Sequence, residues 1–168
     1  MSEKPKFISI IVPSYRQEKT IAANVRQLHT ALLQMPYDYE LIVVIDGAVD
    51  GSLQALKDQK CSPTTVITYA KNRGKSAAIR LGMSKAKGEH ILFIDAGMEI
   101  DPQGMHMLLL HLEWYQADII VGSKRHMASI VKYNWTRRIL SEGYYWFVKF
   151  LFGVSVKDTQ AGIKVFRK

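Results

Sequence analysis

Short runs of apolar, largely β-branched residues recur along the chain, and each ends at a turn-forming or charged cluster. Phe7–Val12, Tyr39–Ile45, Thr65–Tyr69, His90–Ile94 and Ala117–Val121 have the length of strands and the near-continuous apolarity of strands buried on both faces. Such strands need cover on each side, which points to a mostly parallel sheet flanked by helices. The intervening segments supply them. Gln17–Gln34 carries Ile21, Val25, Leu28 and Leu32 on one helical stripe, and Lys75–Ala86 reads as a second helix. Ser52 can cap a short helix through Lys57. Asp101 before Pro102 reads as an N-cap followed by proline at the first helical position, with that helix running to about Trp114. A helix from about Trp135 to Phe152 and a last strand at Gly162–Phe166 complete the order. The prediction is an α/β, Rossmann-like chain with a mostly parallel central sheet and helices on both faces. No linker or internal repeat divides it, so residues 1–168 read as a single domain.

Composition removes other classes. Apolar residues are 48% and charged residues 23% of 168, the balance of a soluble globule. The lone cysteine, Cys61, excludes an intrachain disulfide and any multi-cysteine zinc site, and fits a reducing compartment. No run of 18 apolar residues exists to span a bilayer, and Met1–Lys6 lacks the apolar stretch of a signal peptide. The net charge of +8 is concentrated: Gly122–Lys168 holds 10 basic residues against Glu142 and Asp158, while the rest of the chain balances. Such a segment suits phosphates or an anionic surface.

Ligands of open parallel sheets bind beyond the strands' carboxyl ends. There the sequence places Pro13-Ser14-Tyr15, Asp46-Gly47, Asn72-Arg73-Gly74-Lys75, Asp95-Ala96-Gly97 with Glu99, and Gly122-Ser123-Lys124-Arg125. Carboxylates, glycines and cations on one edge suit an anion neutralised by metal and by lysine or arginine. Two common nucleotide motifs are absent. Gly74-Lys75-Ser76 lacks the P-loop glycine, since position 69 is Tyr, and no dinucleotide fingerprint follows the first strand. His106 and His111, five apart, do not have zinc spacing. The aromatics of the basic segment follow helix spacing, not a base-stacking platform, so nucleic acid is not an expected partner.

Ile11-Val-Pro-Ser-Tyr15 with Glu18, Val44-Ile-Asp46-Gly-Ala-Val-Asp50-Gly-Ser52, Asn72-Arg-Gly-Lys75 with Ala78 and Gly82, Phe93-Ile-Asp95-Ala96, and Val156-Lys-Asp158-Thr-Gln-Ala-Gly-Ile-Lys164 together resemble inverting family 2 glycosyltransferases of the GT-A fold. The last motif resembles the polyprenyl-phosphate (dolichyl-phosphate) mannose and glucose synthase branch. Two departures stand out: Ile45 where the family's nucleotide loop has a first aspartate, and Gly97 where its metal-binding DxD has a second.

The resemblance implies transfer of a hexose from a nucleoside-diphosphate sugar, of the GDP-mannose or UDP-glucose type, to a polyprenyl phosphate with inversion. Pro13, Tyr15, Glu18, Asp46, Arg73, Lys75, Asp95, Ala96 and Lys124 would bind the sugar nucleotide. Asp95, with Glu99 in support, would hold Mg²⁺ or Mn²⁺. Arg137 and Arg138 would face the lipid phosphate, and Asp158 would act as base if the acceptor were a sugar hydroxyl. Asp95, Asp158, Arg137 and Arg138 are thus the catalytic candidates. The Trp135–Phe152 segment mixes aromatics with Arg137, Arg138 and Lys149, which suits a membrane surface. The expected location is cytoplasmic, peripheral on the cytoplasmic membrane face. Family members usually continue past the segment matching Asp158–Lys168, so the family's C-terminal portion is expected to be missing, with an exposed apolar patch and a tendency to form a homo-oligomer. The other readings are transfer to a sugar hydroxyl and a non-catalytic sugar-nucleotide-binding relative.

Overall fold

In β1 (Phe7–Ser14), Ile8, Ile10 and Val12 face one side and Ile11 the other, and all are buried. A strand with no wet face must lie inside a sheet covered twice. The computed structural model, which describes residues 6–57, 64–98, 100–123, 150–151, 153 and 161–168, has this arrangement. β1 is followed by α1 (Ile21–Leu32), β2 (Asp38–Asp46), α2 (Ser52–Lys57), β3 (Thr64–Tyr69), α3 (Lys75–Lys85), β4 (His90–Ile94), α4 (Gly104–Trp114), β5 (Ile119–Val121) and β6 (Ile163–Arg167). The sheet order is β3-β2-β1-β4-β6-β5. β3, β2, β1 and β4 run parallel, and β6 enters antiparallel beside β4.

On one face, Ile21, Val25, Leu28 and Leu32 of α1 and Met105, Leu109 and Leu112 of α4 pack with Ile8, Ile10 and Val12. On the other, Ala78 of α3 packs with Ile11, Ile42, Val44 and Phe93. α3 approaches closely because of Gly82, where a β-carbon would stand 2.5 Å from Ile11 Cγ2.

Several expected boundaries shift. Pro13 does not end β1, which pairs with β2 through Ser14, because a strand's last residues can lack a donor without breaking the ladder. Ser52 does not cap its own helix: its hydroxyl accepts from Gln17 N at 3.1 Å, and Asp50 Oδ1 accepts Ser52 N–H at 3.1 Å. Asp101 closes a turn onto Gln103 N at 3.0 Å, so α4 starts at Gly104, past Pro102. The chain divides into two compact units, Met1–Ile120 with Gly162–Lys168, and Val121–Ala161. Of the second unit, residues 121–123, 150–151, 153 and 161 are described, and Phe150 and Leu151 are helical. The rest of the expected Trp135–Phe152 helix lies outside the described residues. No helix among the described residues is long and apolar enough to cross a membrane. Met107, Leu110 and Trp114 are exposed on α4, so that helix is apolar beyond the stripe it buries.

Gly82→Ala should destabilise the chain by about 1–3 kcal/mol, the usual penalty of overpacking, read as a lower urea midpoint. A second expectation concerns pH. His29 is buried, with Nδ1 3.0 Å from Tyr39 Oη and Nε2 2.7 Å from Thr64 Oγ1. Burial lowers its pKa, and burial with Lys6 and Arg167 nearby lowers that of His90 against the opposing pull of Glu113 and Glu89. Protons therefore bind the unfolded chain more readily. Stability should be full above the ordinary histidine value of 6.5 and fall as pH drops through the lower folded-state values. Urea midpoints across that range should show the fall, and His29→Gln should flatten it.

Candidate active site

The parallel strands β1, β2 and β4 deliver their carboxyl ends to one edge, where a cleft of about 370 Å³ opens. Pro13, Tyr15, Asp46, Lys75, Asp95 and Ala96, six of the residues expected to bind a sugar nucleotide, line it together with Ser14, Gln17, Asn72, Gly74 and Gly97.

Asp46, the last residue of β2, is 3% exposed. Its Oδ1 accepts the Arg73 N–H at 2.7 Å, so the loop from β3 to α3 hangs on this carboxylate. Asn72 completes the loop by accepting the Gly74 N–H at 3.2 Å. Gly47, at φ +80°, lets the two loops meet, since a β-carbon there would stand 2.9 Å from Asn72 N. Burial, then the Asp46 carboxylate it faces without a well-aligned hydrogen bond, push the Tyr69 phenol up to about 12 despite Arg73. Tyr69 therefore stays neutral beside Asp46 at physiological pH. The exposed Arg73 guanidinium stacks on the Tyr69 ring at 5.2 Å and is not part of the cleft lining.

Asp95 follows β4 directly. Lys75, the first residue of α3, donates from Nζ to its Oδ2 at 2.7 Å. The same ammonium lies 2.5 Å from Oδ1, yet Oδ1 is shielded from solvent and has no aligned hydrogen bond among the described residues. A carboxylate at a cleft, its solvent-shielded Oδ1 met by an exchangeable ammonium, is a hard oxygen donor of the kind that fits a divalent cation. Gly97 adds no ligand, and its missing β-carbon leaves open space. Among the described residues no three acidic, histidine or cysteine side chains gather to hold a metal; of the two carboxylates lining the cleft, Asp46 accepts the Arg73 N–H and Asp95 pairs with Lys75. Both partners of the Lys75–Asp95 pair reach solvent, so the pair is worth roughly 0–1 kcal/mol, and Lys75 can turn to a phosphate at little cost.

Glu18 stands on the loop between β1 and α1. It is exposed and outside the cleft lining: its N–H donates to Asp50 Oδ2 at 3.2 Å, and its Oε2 accepts the Gly51 N–H at 3.0 Å. Slight burial works to raise the Asp50 pKa, but hydrogen bonds from Ser52 and Glu18 and the nearby Arg16 outweigh it and lower the pKa. Glu18 thus joins the loop after β1 to the loop after β2. Glu99, Lys124, Arg137, Arg138 and Asp158 lie outside the described residues.

Three residues position the site through contacts that the motifs alone do not show. Asn24 donates from Nδ2 to the Ala96 carbonyl at 2.6 Å, Asn72 shapes the loop before Lys75, and Gly162 accepts the Asp95 N–H at 3.0 Å. Asn24 carried a usable signal: it is a polar residue three positions after Ile21, on the stripe that buries α1.

A parallel α/β sheet with one antiparallel strand beside β4, and a cleft at the strands' carboxyl ends, is the architecture of GT-A glycosyltransferases. Among solved structures, the fold is similar to that of glucosyl-3-phosphoglycerate synthase from Mycobacterium tuberculosis in complex with Mn²⁺, uridine diphosphate and phosphoglyceric acid. The TM-score is 0.71 at 19% identity, over 96% of this chain and 56% of that one. It is also similar to mannosyltransferase PcManGT from Pyrobaculum calidifontis in complex with GDP-Man and Mn²⁺, with a TM-score of 0.66 at 16% identity, over 99% and 45%. The chain belongs to glycosyl transferase family 2, whose model matches residues 9–168. It is 32% identical over 178 residues to dolichyl-phosphate beta-glucosyltransferase of Drosophila melanogaster, covering 96% of this chain and 54% of that protein. To undecaprenyl-phosphate 4-deoxy-4-formamido-L-arabinose transferase of Pseudomonas fluorescens it is 24% identical over 166 residues, covering 97% and 48%. The chain spans about half the length of the curated relatives it matches.

Asp46→Ala should cost about 1–3 kcal/mol by orphaning the Arg73 N–H. Denaturant titration should register the loss, and amide exchange at Arg73 and Gly74 should accelerate.

Proposed function

We propose that the chain transfers a hexose from a nucleoside-diphosphate sugar to a polyprenyl phosphate, with inversion at the anomeric carbon. The observation that carries this reading is the Asp95–Lys75 pair at the mouth of the strand-end cleft, a carboxylate for a cation beside an ammonium for a phosphate. Relatives named as dolichyl-phosphate beta-glucosyltransferases favour glucose over mannose and a lipid phosphate as acceptor. Mn²⁺ in the fold neighbours favours a divalent metal on Asp95, with Glu99 in support.

When bound, the metal supplies Lewis-acid stabilisation of the departing diphosphate. The chain's own residues do the rest. Asp46 holds the Asn72–Lys75 loop and offers its edge to the nucleoside. Lys75 swings from Asp95 Oδ2 to the diphosphate, adding positive charge where negative charge develops. Pro13, Tyr15 and Ala96 line the cleft. The acceptor needs no strong base, because a phosphomonoester with a second pKa of roughly 6 is already ionised at neutral pH. The remaining task is to hold two anions together, for which Lys124, Arg137 and Arg138 are the proposed cations. Phe150 is 89% exposed and Leu151 53%, apolar helical side chains consistent with a membrane-surface helix. The working location is peripheral, on the cytoplasmic membrane face.

The test is release of nucleoside diphosphate from UDP-glucose and GDP-mannose, with Mn²⁺ and liposomes containing anionic lipid and polyprenyl phosphate. Hexose should appear on the lipid, and Asp95→Asn should reduce turnover by at least about 100-fold, as loss of a metal ligand does. Liposome flotation should weaken with salt and in the Arg137→Ala, Arg138→Ala double variant. Hexose passed only to a soluble sugar would overturn the lipid acceptor and leave Asp158 as the proposed base. Nucleotide binding without turnover would favour a non-catalytic relative.

A further inference from the structure

We propose that Gly162 is a positioning residue of this site: its missing side chain leaves the space in which the Asp95 carboxylate stands. The inference rests on the reading of Asp95 as the cation's ligand and adds a residue in the Val156–Lys164 motif that this reading does not use.

The two residues meet because β6 runs antiparallel to β4. Ile94 pairs with Ile163, so the residue after one strand faces the residue before the other. The Asp95 N–H donates to the Gly162 carbonyl at 3.0 Å, which fixes the backbone from which the carboxylate projects. A β-carbon on Gly162 would stand 2.8 Å from Asp95 Oδ2, 3.3 Å from its Cγ and 3.4 Å from Ile100 Cδ1. The first distance is too short for carbon against oxygen, and Oδ2 is the oxygen that holds Lys75 at 2.7 Å.

Gly162 has no positive φ, so its backbone admits an L-residue and the conflict is one of space alone. The conflict is also local. It falls on the end of a short side chain, and turning the carboxylate about its own bonds relieves it. That turn carries Oδ2 away from Lys75 and alters the face Asp95 shows to the cleft. Gly88 is the contrasting case: its β-carbon would meet Ser9 N at 2.5 Å and the Ile8 carbonyl carbon at 2.7 Å, so backbone would have to move. An added methyl at Gly88 therefore strikes the fold, whereas one at Gly162 strikes the site.

The experiment compares the parent chain with Gly162→Ala, Asp95→Ala and the double variant. Mn²⁺ binding is followed by the electron paramagnetic resonance signal of the free ion, and stability by thermal melting. Gly162→Ala should weaken Mn²⁺ binding roughly 10- to 100-fold, the range seen when a metal ligand's support is lost. Its melting should stay close to the parent's. In the Asp95→Ala background, Gly162→Ala should change neither measurement, because the group it displaces is gone. Parental Mn²⁺ binding by Gly162→Ala would overturn the inference while leaving the Asp95 reading intact. Equal destabilisation in both backgrounds would overturn it too, since the methyl would then be meeting something other than the carboxylate. If Gly162→Ala alone fails to fold, recovery in the double variant upholds the contact and continued failure overturns it. Parental Mn²⁺ binding by Asp95→Ala would strike the reading of the site itself, and the inference with it.

Discussion

A strand buried on both faces can offer ligands only its ends. β1 is such a strand, and β2 and β4 pair with it in parallel, so the free ends of three strands come out along one edge. Everything placed at the cleft depends on that constraint. Asp46 and Asp95 lie far apart in sequence, yet parallel pairing on either side of β1 brings them to the same edge. The helices on both faces keep the ladder dry and leave the polar chemistry to the loops beyond it.

Those loops are held by side-chain carboxylates and amides, from the buried Asp46 to the exposed Glu18. Asp46 anchors the loop that carries Lys75, Asn24 ties the Ala96 carbonyl to α1, and Glu18 with Asp50 joins the first two strand-end loops. Each contact satisfies a backbone group that would otherwise lack a partner at the sheet edge. The outcome is a cleft whose lining is fixed by main-chain hydrogen bonds, with Lys75 as the charged side chain least constrained within it. Its contact with Asp95 is exposed on both sides and correspondingly weak, so it holds Lys75 only loosely.

Two glycines bracket Asp95 with different consequences. Gly97 stands in open space, so its lack of a carboxylate is a chemical difference from the family pattern with no steric cause. Gly162 stands against the carboxylate, so its lack of a side chain has a steric meaning. Asp95 stands between them, paired with Lys75.

The periodicity of the sequence was sufficient for the order of elements, the mostly parallel sheet and the core stripe of α1, because apolar spacing along a chain directly reflects which faces are buried. The strand-end positions of Pro13, Asp46, Lys75 and Asp95 were legible for the same reason: a turn residue after an apolar run marks where the ladder stops. Glu18 and Arg73 are expected at the sugar nucleotide through the family motifs in which they stand. The packed structure adds contacts those motifs do not show: Glu18 bonds to the Asp50–Gly51 loop, and Arg73 stacks on the Tyr69 ring. Asn24 shows in the sequence only as a polar residue on the buried stripe of α1, and Gly162 only as a motif glycine. Their roles toward Ala96 and Asp95 exist only once α1 lies across the sheet and β6 enters beside β4, bringing together residues that sequence distance keeps apart.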